Sequence, residues 1–208
     1  CDLSLPQYTS DIIDTGIQNS GVEHILPEKI TAEEFQNAQL FMTADEQKTW
    51  QDAYSGDGDL LDRNDFSKKD LEQFDSDLIV PILLNYQMSM MSEDGFREML
   101  MQQQQGNPQA AEQLKTMSIA DIGKSMGVTL TPFERTEEDD DGNETTVNCV
   151  DVRPLFAAMQ EAGQFTEETR SEMRSQLETM LDTMGESLVQ SMGIAYAVQC
   201  DQAAGLDT

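Results

Sequence analysis

Apolar residues recur at helical spacing through most of this chain. Over residues 166–200, Met173, Leu177, Met180, Leu181, Met184, Leu188, Met192 and Ala195 follow one another at short helical steps, placing them on one face of a single long helix. Thr166 is its expected N-cap, with Glu167 and Glu168 in the first turn, where carboxylates suit the helix dipole. A stripe of that length has to be buried against other helices. Upstream, Thr31 is placed to cap residues 32–42, and Thr43 with Glu46 forms a capping-box pattern opening residues 44–54. A helix is predicted through Lys68 to Phe74, and Asp75 to Asp77 offer a new start for an apolar helix that tolerates Pro81 in its first turns. Further helices are expected after Ser92, from Asn107-Pro108 to about Met117, from Ser118 to Met126 with Gly127 as the stop, and from Arg153-Pro154 to Gly163.

The period changes at Val128. Residues 128–152 read as two strands joined by an acidic turn, a β-hairpin with its tip at Glu138 to Asn143 and Cys149 on the second strand. Residues 1–27 carry isolated apolar side chains among Pro6, Gly16, Gly21 and Pro27, the pattern of an extended tether with a few docking residues. The predicted fold is therefore mainly α: an extended N-terminal arm (1–27) and one helical domain (28–208) with a single β-hairpin.

Composition narrows the partners. Forty acidic against twelve basic residues give a net charge of -28, which repels phosphate backbones and anionic lipid surfaces and excludes nucleic acid as a partner. Such charge serves either as a hydrated surface or as steering toward a basic partner or cations. No stretch approaches the roughly 18 apolar residues of a membrane span, since the longest cluster, Leu78 to Leu84, contains Pro81. Only 38% of residues are hydrophobic, and 13 methionines supply part of the core volume.

Candidate chemistry is sparse. Gly123-Lys124-Ser125-Met126-Gly127 matches the G-x-S-x-G string of serine hydrolases, but the sole histidine, His24, lies far upstream and the preceding residues read as helix. A helix end with a glycine stop accounts for the string better. The loop Ala53 to Asn64 resembles a degraded EF-hand with Gly58 as the central glycine. That resemblance implies a weak calcium site from Ser55, Asp57, Asp59 and Asn64; against it, Ala53 holds the first position and Asn64 replaces the bidentate glutamate. The other reading of the same loop is an acidic turn in water. One histidine and no C-x-x-C leave no zinc, haem or dithiol motif.

Three cysteines leave one over if two pair. Pairing Cys149 with Cys200 would close a loop of about 50 residues and contribute a few kcal/mol in the chain-entropy model; two buried free thiols are the alternative. Cys1, followed by the polar DLSLPQYTSD, resembles a bacterial lipoprotein after signal-peptide cleavage. The resemblance implies a lipid on Cys1 and an extracytoplasmic location, periplasm or cell surface, tethered to the inner or outer membrane, with Asp2 leaning toward the inner. The expected function is a non-enzymatic structural or accessory subunit of an envelope complex, with protein subunits as partners and the membrane touched only through the anchor. The alternatives are a Met-rich binding module or chaperone for a lipid, hydrophobic peptide or client protein, and a calcium-responsive adaptor.

Overall fold

The computed structural model describes residues 21–206. Cys1 and most of the expected arm lie outside the described residues. In chain order the elements are β1 (Lys29–Thr31), α1 (Ala32–Asn37) with a following 3-10 turn (Ala38–Phe41), α2 (Ala44–Asp52), β2 (Tyr54–Ser55), β3 (Leu60–Arg63) and α3 (Lys68–Ser89). Then come β4 (Met91–Ser92), α4 (Glu93–Gln102), α5 (Pro108–Thr116), α6 (Ile119–Ser125), β5 (Pro132–Glu138), β6 (Glu144–Val150), α7 (Arg153–Glu161), α8 (Glu167–Leu181) and α9 (Glu186–Ala203). The chain is mainly α, as its periodicity predicts.

Side-chain caps set many of these boundaries. Thr31, Ser92, Asn107 and Ser118 each accept a backbone N–H from the first turn of the helix that follows. Thr43 and Glu46 form the reciprocal capping box that opens α2.

Two helix boundaries differ from the sequence pattern. The long helix over 166–200 is two helices: Thr183 and Met184 donate to carbonyls three residues back, and Gly185 is extended at φ -68° and ψ 146°, where it caps α9. Glycine disfavours the helix interior by about 1 kcal/mol relative to alanine, so the apolar stripe continues across a break in the backbone. Conversely, the two helices expected on either side of Asp75 are one, α3. The Asp75 carboxylate accepts from Ile25 N–H and faces His24 instead of capping a new helix, and α3 runs through the buried Pro81.

Two three-stranded antiparallel sheets are present among the described residues, ordered β1-β3-β2 and β4-β6-β5. The second contains the expected hairpin, paired from Pro132↔Val150 to Glu138↔Glu144. At its tip Asp139 Oδ1 accepts from Asp141 and Asn143, and Gly142 takes φ 80°. The first sheet was not expected, because strands of two to four residues are too short to display a period of two.

The pattern predicts one domain over 28–208, whereas the chain divides into two compact units. Gln87–Gln176 form one, here the inserted unit. The described residues of Thr15–Tyr86 and Leu177–Thr208 form the other, the flanking unit. Periodicity cannot mark this division, because α3 and α8 each continue through it without a change of pattern.

In the inserted unit Phe96, Cys149, Val150, Phe156 and Met173 are buried. Phe165 lies edge-on to Phe156, with the Arg170 guanidinium 4.8 Å from the Phe165 ring centroid. In the flanking unit Phe35 stacks on Trp50 at 5.6 Å, and Trp50 Nε1 donates to the Phe35 carbonyl. Residues 192–198 of α9 are buried on every side, so this helix forms part of the core throughout that stretch instead of showing one face to it. Ile25, Leu26 and Pro27, expected in the tether, are also buried there.

The closest approach is at Gly193. A Cβ there would lie 2.5 Å from Ile25 Cγ2 and 2.9 Å from Ile79 Cδ1. Alanine is the better helix former by about 1 kcal/mol, but both neighbours are branched and Ile25 is fully buried, so the overlap prevails. Gly193→Ala is expected to lose about 1–3 kcal/mol, read as a lower urea midpoint with an unchanged slope. An equal or higher midpoint would show that the segment yields.

Candidate functional site

The sequence-predicted site residues are not brought together. Cys1 lies outside the described residues. The expected Cys149–Cys200 disulfide is not formed: both thiols are free and buried. Each is engaged within its own unit, Cys149 Sγ with the Val147 carbonyl at 3.7 Å and with Arg135, Cys200 with the Tyr196 hydroxyl.

The loop expected to be a weak calcium site is a connection between strands β2 and β3, not between two helices as an EF-hand requires. Ser55 Oγ hydrogen-bonds Asn64 Oδ1 at 2.5 Å, Asn64 Nδ2 donates to the Asp52 carbonyl, and the Asp59 carbonyl accepts from Ala32 N–H. Asp57 is exposed in the turn. Among the described residues no three His, Cys, Asp or Glu side chains are grouped to hold a metal ion.

The G-x-S-x-G string is the end of α6. Ser125 Oγ donates to the Ile122 carbonyl, and Gly127 takes φ 78°. Gly123 serves a close approach, since a Cβ there would lie 2.8 Å from the Val128 carbonyl oxygen.

The candidate site is an open groove of about 1180 Å³ in the flanking unit. Two helices present one face each to it. From α3 come Lys68, Glu72, Asp75, Ser76, Ile79 and Val80, at helical steps, and from α9 Ser187, Val189, Gln190, Ser191 and Ile194. Val22, Glu23 and His24 close one side, and the residues around the α8–α9 break complete the lining.

Asp75 holds these pieces together. Its Oδ1 accepts from Ile25 N–H at 2.9 Å, and its Oδ2 accepts from Gln190 Nε2 at 2.9 Å and lies 2.7 Å from His24 Nδ1. An ionised carboxylate can only accept, so this contact places the proton on Nδ1. Gln190 Nε2 also donates to the Glu23 carbonyl. One carboxylate thus joins the 22–25 segment to α3 and α9.

The groove lining is apolar and acidic. Val22, Ile79, Val80, Leu181, Met184 and Ile194 give apolar surface, whereas Glu23, Glu72, Asp75, Glu178, Asp182 and Glu186 are carboxylates facing a single lysine, Lys68. The side chains of Glu23, Glu72, Glu178, Asp182 and Glu186 are exposed and pair with no cation among the described residues. The sequence pattern missed this site because Asp75 resembled a helix start. The available signal was a mixed face, Glu72, Asp75 and Ser76 sharing one side of α3 with Ile79, where a core-facing helix would be uniformly apolar.

Two other polar groups of the flanking unit are internal. Asn85 Nδ2 and the Tyr196 hydroxyl both donate to Glu34 Oε2, at 3.0 and 2.7 Å. Burial raises the Tyr196 hydroxyl well above its usual pKa, the neighbouring Cys200 and Glu34 acting in the same direction. Asp201 is 1% exposed, and its Oδ1 accepts from Lys29 N–H. Its Oδ2 is buried with no hydrogen-bond partner among the described residues. Burial raises its carboxyl above the ordinary aspartate range.

No family model matches the chain, and no curated protein or solved structure matches it either. No helix among the described residues is long and apolar enough to cross a membrane.

Removing the Asp75 carboxylate leaves the Ile25 N–H buried without its acceptor. Asp75→Ala is therefore expected to lose about 2–3 kcal/mol in urea unfolding, and an unchanged midpoint would contradict its role as the joint. For Asp201 the raised pKa means that the native state holds the proton more tightly than the unfolded chain does. Its stabilising effect is complete at low pH and is lost as pH rises from the ordinary aspartate range through the raised value. Asp201→Asn keeps the acceptor for Lys29 N–H and removes the titration. The stability of the parent relative to this variant is expected to fall as pH rises above the ordinary aspartate range of about 4. A difference independent of pH would refute the raised pKa of the buried carboxyl.

Proposed function

We propose that this chain is a non-catalytic binding module, an accessory subunit that docks a segment of another protein in the groove of its flanking unit. The groove itself is the observation that carries this. At about 1180 Å³ and open to solvent, it exceeds the roughly 300–1,000 Å³ of enclosed small-molecule pockets. Its apolar lining offers the burial that drives association, and its carboxylates set orientation and selectivity.

The polar groups most suggestive of chemistry have structural roles. Asp75, which faces the only histidine, binds a backbone N–H and the Gln190 amide. A docked lipid is disfavoured by the same carboxylates, since phospholipid headgroups carry anionic phosphate. This reading does not depend on acylation of Cys1.

A peptide-display selection against the purified chain tests the proposal. Enriched peptides are expected to carry apolar residues at helical spacing, to compete with one another, and to bind a Val80→Glu/Val189→Glu double variant at least about tenfold more weakly, the equivalent of about 1.4 kcal/mol. Fluorescence anisotropy gives the affinities, and circular dichroism confirms that the variant folds. A selection that enriches nothing, or binders indifferent to the double variant, would overturn it.

A further inference from the structure

We infer that the segment docked in the groove is a cationic amphipathic helix of a partner protein. This rests on the binding-module reading and goes beyond it by naming the occupant's charge and conformation.

The charge follows from complementarity. Five exposed carboxylates that pair with no cation among the described residues surround the apolar lining, whose one lysine among those residues is Lys68. Glu178, Asp182 and Glu186 succeed one another at steps of four along the edge made by the end of α8, the break and the start of α9. Among the described residues no three acidic side chains are gathered as a metal ion would need, so the negative charge is spread along a rim. A row of lysines or arginines matches a spread rim better than a point cation does. The chain as a whole carries a net charge of -28, which repels anionic competitors at long range and attracts basic ones.

The conformation follows from the walls. An extended peptide gains affinity by pairing its backbone with a sheet edge, but no strand among the described residues lines this groove; most of its lining comes from α3, the end of α8 and α9, whose backbone groups are engaged within helices. A helix brings its own backbone hydrogen bonds and presents only side chains. Apolar residues at i, i+3, i+4 and i+7 would meet the lining, Met184 adapting its unbranched side chain to them, and basic residues beside that stripe would reach the rim.

The test uses two synthetic amphipathic helices of about five turns, identical in their leucine stripe but flanked by lysine in one and glutamate in the other. The whole chain is titrated with each. The lysine peptide is expected to bind at least about tenfold more tightly than the glutamate peptide, and to weaken as salt rises from about 0.05 to 0.3 M. A Glu178→Gln/Asp182→Asn/Glu186→Gln variant is expected to lose about tenfold in affinity for it. These carboxylates are exposed, so the variant retains the core packing.

Equal binding of both peptides, with loss of both in the Val80→Glu/Val189→Glu variant, would overturn the cationic helix and leave the binding module standing. Lysine-peptide binding unaffected by Val80→Glu/Val189→Glu would show diffuse attraction to an acidic surface, and would overturn the inference as well. Failure of both peptides to bind, beside a selection that yields uncharged or extended binders, would overturn the occupant alone.

Discussion

The Ile25 side chain lies against α9 only because residue 193 has no side chain, and the flanking unit depends on that approach. Gly193 admits Ile25 and Ile79 together, one from the segment before β1 and one from α3. Asp75 then fixes the same junction by accepting from the Ile25 backbone and from Gln190 of α9. Steric fit and a carboxylate with three polar neighbours, His24 included, act on one place. The apolar contact there has no directional preference, whereas the hydrogen bonds hold it in a single arrangement.

That junction also makes the groove. Beside it α3 and α9 leave apolar residues such as Ile79 and Val80 partly uncovered, and Glu23 and His24 close one side. A chain with so large an excess of carboxylates places several of them on this rim without a counter-charge among the described residues, while the core beneath bonds its polar groups internally or raises the pKa of a buried carboxyl. Asp201 and the Asn85, Glu34 and Tyr196 cluster illustrate the second condition. Burying such groups is tolerable when their donors and acceptors are matched, or when a carboxyl keeps its proton.

Much of the fold was legible in the sequence. Caps at Thr31, Thr43, Ser92, Asn107 and Ser118 were readable because a cap is local chemistry, a short side chain meeting backbone N–H groups two or three residues away. The hairpin over 128–152 was readable because its strands are seven residues each, long enough to show alternation. The strands of the other sheet were not, and neither was the division into two units, since helices with an unbroken pattern run across it. The Cys149–Cys200 pairing went astray for a related reason. An odd cysteine count says how many thiols must remain single but nothing about where each is placed, and Arg135 and Tyr196 are the residues that engage these two.

Local chemistry thus determined the mainly helical class, most element boundaries and the acidic surface, all from interactions spanning a few residues or from summed charge. Tertiary structure alone decided the break at Gly185, the continuity of α3 through Asp75, the free state of both buried cysteines and the existence of the groove. Each of these turns on a contact between residues far apart in the chain, or on which of two local preferences prevails once a neighbour arrives. Asp75 shows the difference most directly: alone it is a helix cap, and with Ile25, His24 and Gln190 beside it, it becomes the joint around which the groove forms.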